Sequence, residues 1–138
     1  MMKKLAVWML AAAVAFTTAA CAGPNVAGVG EPVEGQAYRS ITAEEAQELI
    51  GKEHVHLVDV RNPDELTGGY IDGMVNIRLN DLSDEISAEV PDKGDVVILY
   101  CASGNRSAKA ARMLCNAGYR KVYDLGGISD WPYAVKTD

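Results

Sequence analysis

Two runs of consecutive apolar, largely β-branched residues stand out along the chain, Val55-His56-Leu57-Val58-Asp59-Val60 and Asp95-Val96-Val97-Ile98-Leu99-Tyr100. Neither alternates cleanly between apolar and polar, which is the pattern of strands covered on both faces of a parallel sheet. Met74-Val75-Asn76-Ile77 and Lys121-Val122-Tyr123-Asp124 read as two shorter strands. Between the strands lie helix-like stretches, at Pro63 to Leu66, at Leu79 to Ile86 and most clearly at Arg106 to Ala117, where Gly118 supplies the stop. One more helix is announced by Ile41-Thr42-Ala43-Glu44-Glu45: Thr42 and Glu45 have the spacing of a capping box, and Ile41 can staple onto Ala46, so a helix runs from there to about Ile50. Alternating strands and helices predict an α/β domain with a mainly parallel sheet and helices on both faces.

The pattern changes before that domain. Lys3 and Lys4 precede an uncharged apolar run, Leu5 to Phe16, and small residues then lead to Cys21. The run is shorter than the ~20 residues that span a bilayer, so residues 1–20 read as a bacterial signal peptide. Cys21 lies in Ala19-Ala20-Cys21-Ala22 and resembles the lipid-modified cysteine of bacterial lipoproteins, although Thr18 stands where such signals usually have Leu. Release as a soluble periplasmic protein is the alternative. Residues 21–37, rich in Gly, Pro and Val, read as a flexible tether, and residues 38–138 as the folded domain.

Composition narrows the function. In 138 residues, 49% are hydrophobic and the formal charge is -6, which suits one globular domain and argues against a nucleic-acid surface. The three cysteines, Cys21, Cys101 and Cys115, lack the close spacing of a zinc site. Cys115 sits far along the helix that begins after Cys101, about 15 Å away at ~1.5 Å per residue, whereas bridged α-carbons lie within about 7 Å. It reads as a packed core residue.

Cys101 is different. It follows the apolar strand and opens Cys101-Ala102-Ser103-Gly104-Asn105-Arg106-Ser107, directly before a helix. Ligands of open parallel sheets bind beyond the carboxyl ends of strands. Small residues let successive backbone amides turn inward, and the helix start adds further unpaired N–H groups, so the loop suits an anion and favours thiolate over thiol. The Arg106 fork is suited to two oxygens of an arriving oxyanion. A cysteine ending a buried strand is more often a small hydrophobe, but the Gly, Ser, Asn and Arg around this one argue that it does not bury itself.

From about Ser40 to Tyr133 the chain resembles a single-domain rhodanese, the thiosulfate sulfurtransferase family. The residues that carry the resemblance are Asp59-Val60-Arg61, Gly69-Tyr70-Ile71-Asp72-Gly73-Met74-Val75-Asn76-Ile77, the loop from Tyr100-Cys101 to Ser107, Gly118-Tyr119, Leu125-Gly126-Gly127 and Trp131. Tyr70 and Met74 depart from the family's usual His and Ala. The resemblance implies a rhodanese-like fold and a nucleophilic Cys101 that takes the outer sulfur of thiosulfate, or of a persulfide donor, and passes it to cyanide or a thiol. It implies loop amides from Ala102 to Ser107, with Arg106, as the anion-binding groups, Asp59 and Arg61 in a structural role, and no metal or organic cofactor.

Two other functions remain open from the sequence. One is a rhodanese-like binding or sulfur-carrier module with an envelope protein as partner or acceptor. The other is a cysteine-dependent phosphatase or arsenate reductase, against which the spacing counts: Cys101-x4-Arg106 is one residue tighter than the Cys-x5-Arg of such phosphatases. Lys109 shares a helix face with Arg106 and is a candidate electrostatic helper, while Arg112 reads as solvated. Strand alternation puts His54 and His56 on opposite faces, unable to chelate one metal together unless the strand is distorted. Trp131 and Tyr133 are expected to pin the last segment to the core.

Overall fold

The computed structural model describes residues 38–137. The predicted signal peptide, the tether and Cys21 lie outside the described residues. Among those described, no helix is long and apolar enough to cross a membrane.

All five strands are parallel, in the order β1-β5-β4-β2-β3. They are β1 (Arg39–Ser40), β2 (Val55–Asp59), β3 (Met74–Asn76), β4 (Val96–Cys101) and β5 (Lys121–Gly127). Three helices, α1 (Ala43–Leu49), α2 (Leu82–Glu89) and α3 (Asn105–Asn116), cover the sheet. Alternation along β4 divides the core: Val97, Leu99 and Cys101 join α2 and α3 residues such as Ile86, Ala110 and Leu114 in one buried cluster. Ile98 and Tyr100 join Ala46 and Leu49 of α1, with Tyr123, in another. The expectation of helices on both faces of a parallel sheet is therefore met.

The capping box forms as expected, with the Glu45 amide donating to Thr42 Oγ1 at 3.2 Å and the Thr42 amide donating to Glu45 Oε2 at 2.9 Å. Ile41 is buried in the same cluster as Ala46. The structure differs from expectation at several other places. β1 has only two residues, too few to show any period, and pairs with β5 at the edge of the sheet. β5 runs on to Gly127 because its register with β4 slips between Leu99 and Tyr100, which pair with Asp124 and Gly126. The stretch at Pro63–Gly68 is a 3₁₀ turn, and a second such turn, Leu79–Asp81, precedes α2.

His54 and His56 require a correction. Both imidazoles meet the same carboxylate, His54 Nδ1 at 3.1 Å from Asp95 Oδ1 and His56 Nε2 at 2.9 Å from Asp95 Oδ2. Alternation does not reach back to His54, because β2 starts at Val55 and His54 has φ 61, the left-handed region.

At the other end of the chain, Trp131 and Tyr133 make an edge-to-face pair at 5.0 Å. Tyr70, departing from the family pattern, forms an antiparallel bridge with Lys136, each amide donating to the other's carbonyl at 2.9 and 2.8 Å.

Candidate active site

The strand order explains where chemistry is placed. The chain leaves β2 toward β3 on one side of the sheet and leaves β4 toward β5 on the other. The loops after β2 and β4 thus diverge, and a crevice opens between them at the carboxyl end of the sheet. Cys101 is the last residue of β4 and lies at the head of that crevice.

Sγ of Cys101 accepts a hydrogen bond from the Gly104 amide at 3.0 Å. This tight return is available because Gly104 adopts φ 101, which disfavours any side chain, and there serves as the N-cap of α3. Burial pushes the thiol up, but hydrogen bonds from the Ser107 amide and hydroxyl, and then from the Gly104 and Ser103 amides, outweigh it and hold Cys101 below the ordinary thiol value. Ser107 is itself buried, with Oγ donating to the Gly104 carbonyl at 3.0 Å. A polar loop had suggested an open cysteine, yet Cys101 is 0% exposed. The alternation of β4 turns its side chain toward α3, and the loop folds back over it.

A second segment supports the loop from below. Gly127 passes so close that a Cβ built on it would lie 2.6 Å from the Ala102 carbonyl oxygen and 2.9 Å from Ser103 Cα, both backbone atoms. Ser129 Oγ also donates to the Ala102 carbonyl, at 3.3 Å. Gly127→Ala is therefore expected to push the loop away from Sγ. The rate of any reaction at Cys101 should fall by roughly 10²-fold, the scale of a misplacement of about 1 Å. Alkylation of Cys101 with iodoacetamide should inflect at a higher pH than in the wild type, because the thiolate loses amide donors. An unchanged inflection would mean that the loop tolerates the methyl group.

Asp59 and Arg61 sit on the other side of the crevice as a buried pair, with side-chain exposures of 0% and 5% and a closest approach of 2.6 Å. Arg61 also donates to the carbonyls of Glu65 at 3.3 Å and Gly69 at 2.9 Å, and its guanidinium lies 5.7 Å from the Tyr100 ring centroid. Asn76 Nδ2 donates to the carbonyls of both Asp59 and Arg61 at 2.9 Å. Together these bonds fix the 3₁₀ turn Pro63–Gly68 over the crevice.

That turn delivers a residue with no role assigned from sequence. Glu65 takes both Nη atoms of Arg106, each at 2.7 Å, so the fork aimed at an oxyanion is already occupied by a carboxylate. Glu65 also accepts from the Asn62 amide at 3.0 Å. The Arg106 hydrogen bonds chiefly, with a smaller contribution from that amide, outweigh the opposing effect of burial and hold the Glu65 carboxyl down at about 2. The only signal in the sequence was the Asn62-x-x-Glu65 spacing of a helix start, which says nothing about a partner 41 residues away.

Of the other loop residues, Ala102 and Arg106 are half-buried and Ser103 and Asn105 exposed; Lys109 and Arg112 are exposed on α3. Cys115 is partly buried against the α2/α3 core and is not bridged to Cys101.

Residues 42–133 match the model of the rhodanese-like domain. The chain belongs to the rhodanese family. Among curated relatives, the thiosulfate sulfurtransferase PspE of Escherichia coli is 37% identical over 75 residues, which is 54% of this chain and 72% of that protein. A sulfurtransferase of Allochromatium vinosum is 40% identical over 87 residues, 62% of this chain and 79% of its own. Among solved structures, a rhodanese-related protein from Thermoplasma volcanium superposes with a TM-score of 0.63 at 34% identity, covering 73% of this rhodanese and all of that chain. A rhodanese from E. coli, solved with anions, gives 0.58 at 33% identity, over 61% of this chain and 99% of its own.

Proposed function

We propose that this rhodanese is a sulfurtransferase that carries sulfane sulfur as a persulfide on Cys101. The observation that carries the reading is the thiol itself, at the carboxyl end of the central strand, accepting from the Gly104 amide and held below the ordinary thiol value. Sulfurtransferase activity in the relatives supports it.

The Cys101 thiolate attacks the outer sulfur of thiosulfate, the sulfur–sulfur bond breaks, and sulfite leaves with the electron pair. The new bond joins that outer sulfur to Sγ, and the persulfide keeps the negative charge that the thiolate brought. The Gly104 amide already donates to Sγ, and the Ser107 and Ser103 amides also favour its anionic form, so the loop stabilises charge on the persulfide without reorganising. Cyanide or a thiol, free or on another envelope protein, then takes the terminal sulfur and returns the thiolate.

Intact-mass spectrometry tests this reading. Thiosulfate should add one sulfur to the protein at Cys101, and cyanide should remove it. A thiol that reacts with alkylating agents yet gains no sulfur would favour the binding-module reading.

In the same proposal the protein is exported and held to the membrane through lipid on Cys21. Small residues around Cys21 and the apolar run before it support this. Cells expressing the protein should incorporate a labelled fatty acid into it, and Cys21→Ser should abolish the label. An unlabelled wild type would mean release as a soluble protein.

A further inference from the structure

In the resting protein the one cationic side chain of the active loop is fully engaged. Arg106 offers a planar fork, and Glu65 fills it with two equal contacts of 2.7 Å. Glu65 is not a wandering surface carboxylate: the Asn62 amide holds one of its oxygens, and buried Arg61 holds its carbonyl. Both members are about one-third exposed, 32% for Arg106 and 30% for Glu65, so the pair lies where the crevice meets solvent. A donor entering between the loops after β2 and β4 therefore meets a neutralised arginine.

We propose that Glu65 is a specificity-determining positioning residue: by holding both Nη atoms of Arg106 it sets the mouth above Cys101 against dianionic sulfur donors and in favour of donors of low charge, such as an alkyl persulfide. The choice of donor rests on the sulfurtransferase reading, whereas the charge of the mouth does not. With an alkyl persulfide, the Cys101 thiolate attacks the terminal sulfur, the donor's sulfur–sulfur bond breaks, and the alkyl thiol departs with the proton. No oxidant or reductant is consumed. With thiosulfate, two negative charges approach a mouth whose arginine is already satisfied, and binding must either compete with Glu65 or proceed without Arg106.

The test compares two alkylating agents at Cys101, anionic iodoacetate and neutral iodoacetamide, on the purified protein, with the modified peptide identified by mass spectrometry. Glu65→Gln keeps an oxygen for the Asn62 amide but removes the charge. It should raise the iodoacetate-to-iodoacetamide rate ratio by roughly threefold, the effect of one unit charge a few ångströms from the path at high dielectric. The double variant Glu65→Gln/Arg106→Gln, in which both side chains are neutral, should return the ratio to within about twofold of the wild type. It also serves if the single variant does not fold.

An unchanged ratio in Glu65→Gln overturns the proposal. So does a double variant whose ratio falls well below the wild type, since that would show Arg106 acting as a free cation despite Glu65. In sulfur transfer, Glu65→Gln should lower KM for thiosulfate by roughly tenfold and change KM for an alkyl persulfide by no more than about threefold, consistent with two charges against one or none. Equal changes for both donors would overturn the donor preference. If the wild type transfers no sulfur at all, the alkylation ratio still decides the role of Glu65, so the two readings fail separately.

Discussion

Cys101→Ser is expected to reduce sulfur transfer by on the order of 10³-fold or more while leaving the fold in place. The two side chains differ by one atom and both accept a hydrogen bond, so the Gly104 amide keeps a partner and the buried site keeps nearly its volume. Chemistry separates them. A thiol held below its ordinary value by hydrogen bonds from the loop supplies more thiolate than a free cysteine does, whereas a serine hydroxyl in the same cradle remains protonated and forms no stable bond to a sulfane sulfur. The measurement is thiocyanate formation from thiosulfate and cyanide, beside the thermal unfolding curve. The variant should also show no mass gain with thiosulfate. Activity within tenfold of the wild type would remove Cys101 from the mechanism.

The second large effect concerns stability. Asp59→Asn is expected to cost about 3–5 kcal/mol, because it leaves the Arg61 guanidinium charged in a site where both side chains are almost wholly buried. For a domain of this size that lowers Tm by at least about 12 °C. Damage should extend to the crevice, since Arg61 is the group that ties the Glu65 and Gly69 carbonyls in place. Replacing both members by apolar residues, Asp59→Leu with Arg61→Met, should recover part of the loss, because no unpaired charge remains. Urea unfolding of the wild type and the two variants separates these cases. A loss under about 1 kcal/mol for Asp59→Asn would show that solvent reaches Arg61.

Parts of the molecule set by neighbours in sequence were legible before any coordinates. The loop from Cys101 to Ser107 is local: strand end, small residues, helix start. The same holds for the Thr42–Glu45 cap and for the long helix that ends at Gly118. Features that depend on which segments meet in space were not. Glu65 and Arg106 are 41 residues apart and are joined only because β2 and β4 are neighbours whose following loops share one crevice. Gly127 enters the sequence only as part of the Leu125-Gly126-Gly127 match, and its approach to the Ala102 carbonyl depends on how β5 lies against the loop. His54 was misplaced by one backbone angle. The burial of Cys101 escaped notice because polar neighbours in sequence were taken as a guide to solvent, whereas strand alternation decides which way the side chain turns.

β1, the shortest strand, carries a consequence for orientation. It runs parallel to β5, and β5 to β4, so the chain enters the sheet travelling toward the end at which Cys101 lies. Arg39 and Ser40 pair with Tyr123 and Asp124, which places them level with Ile98 and Leu99 of β4, short of Cys101. These two residues close the β5 edge of the sheet, on the side away from β2, so the crevice beyond β2 and β4 is left to the loops that follow those strands.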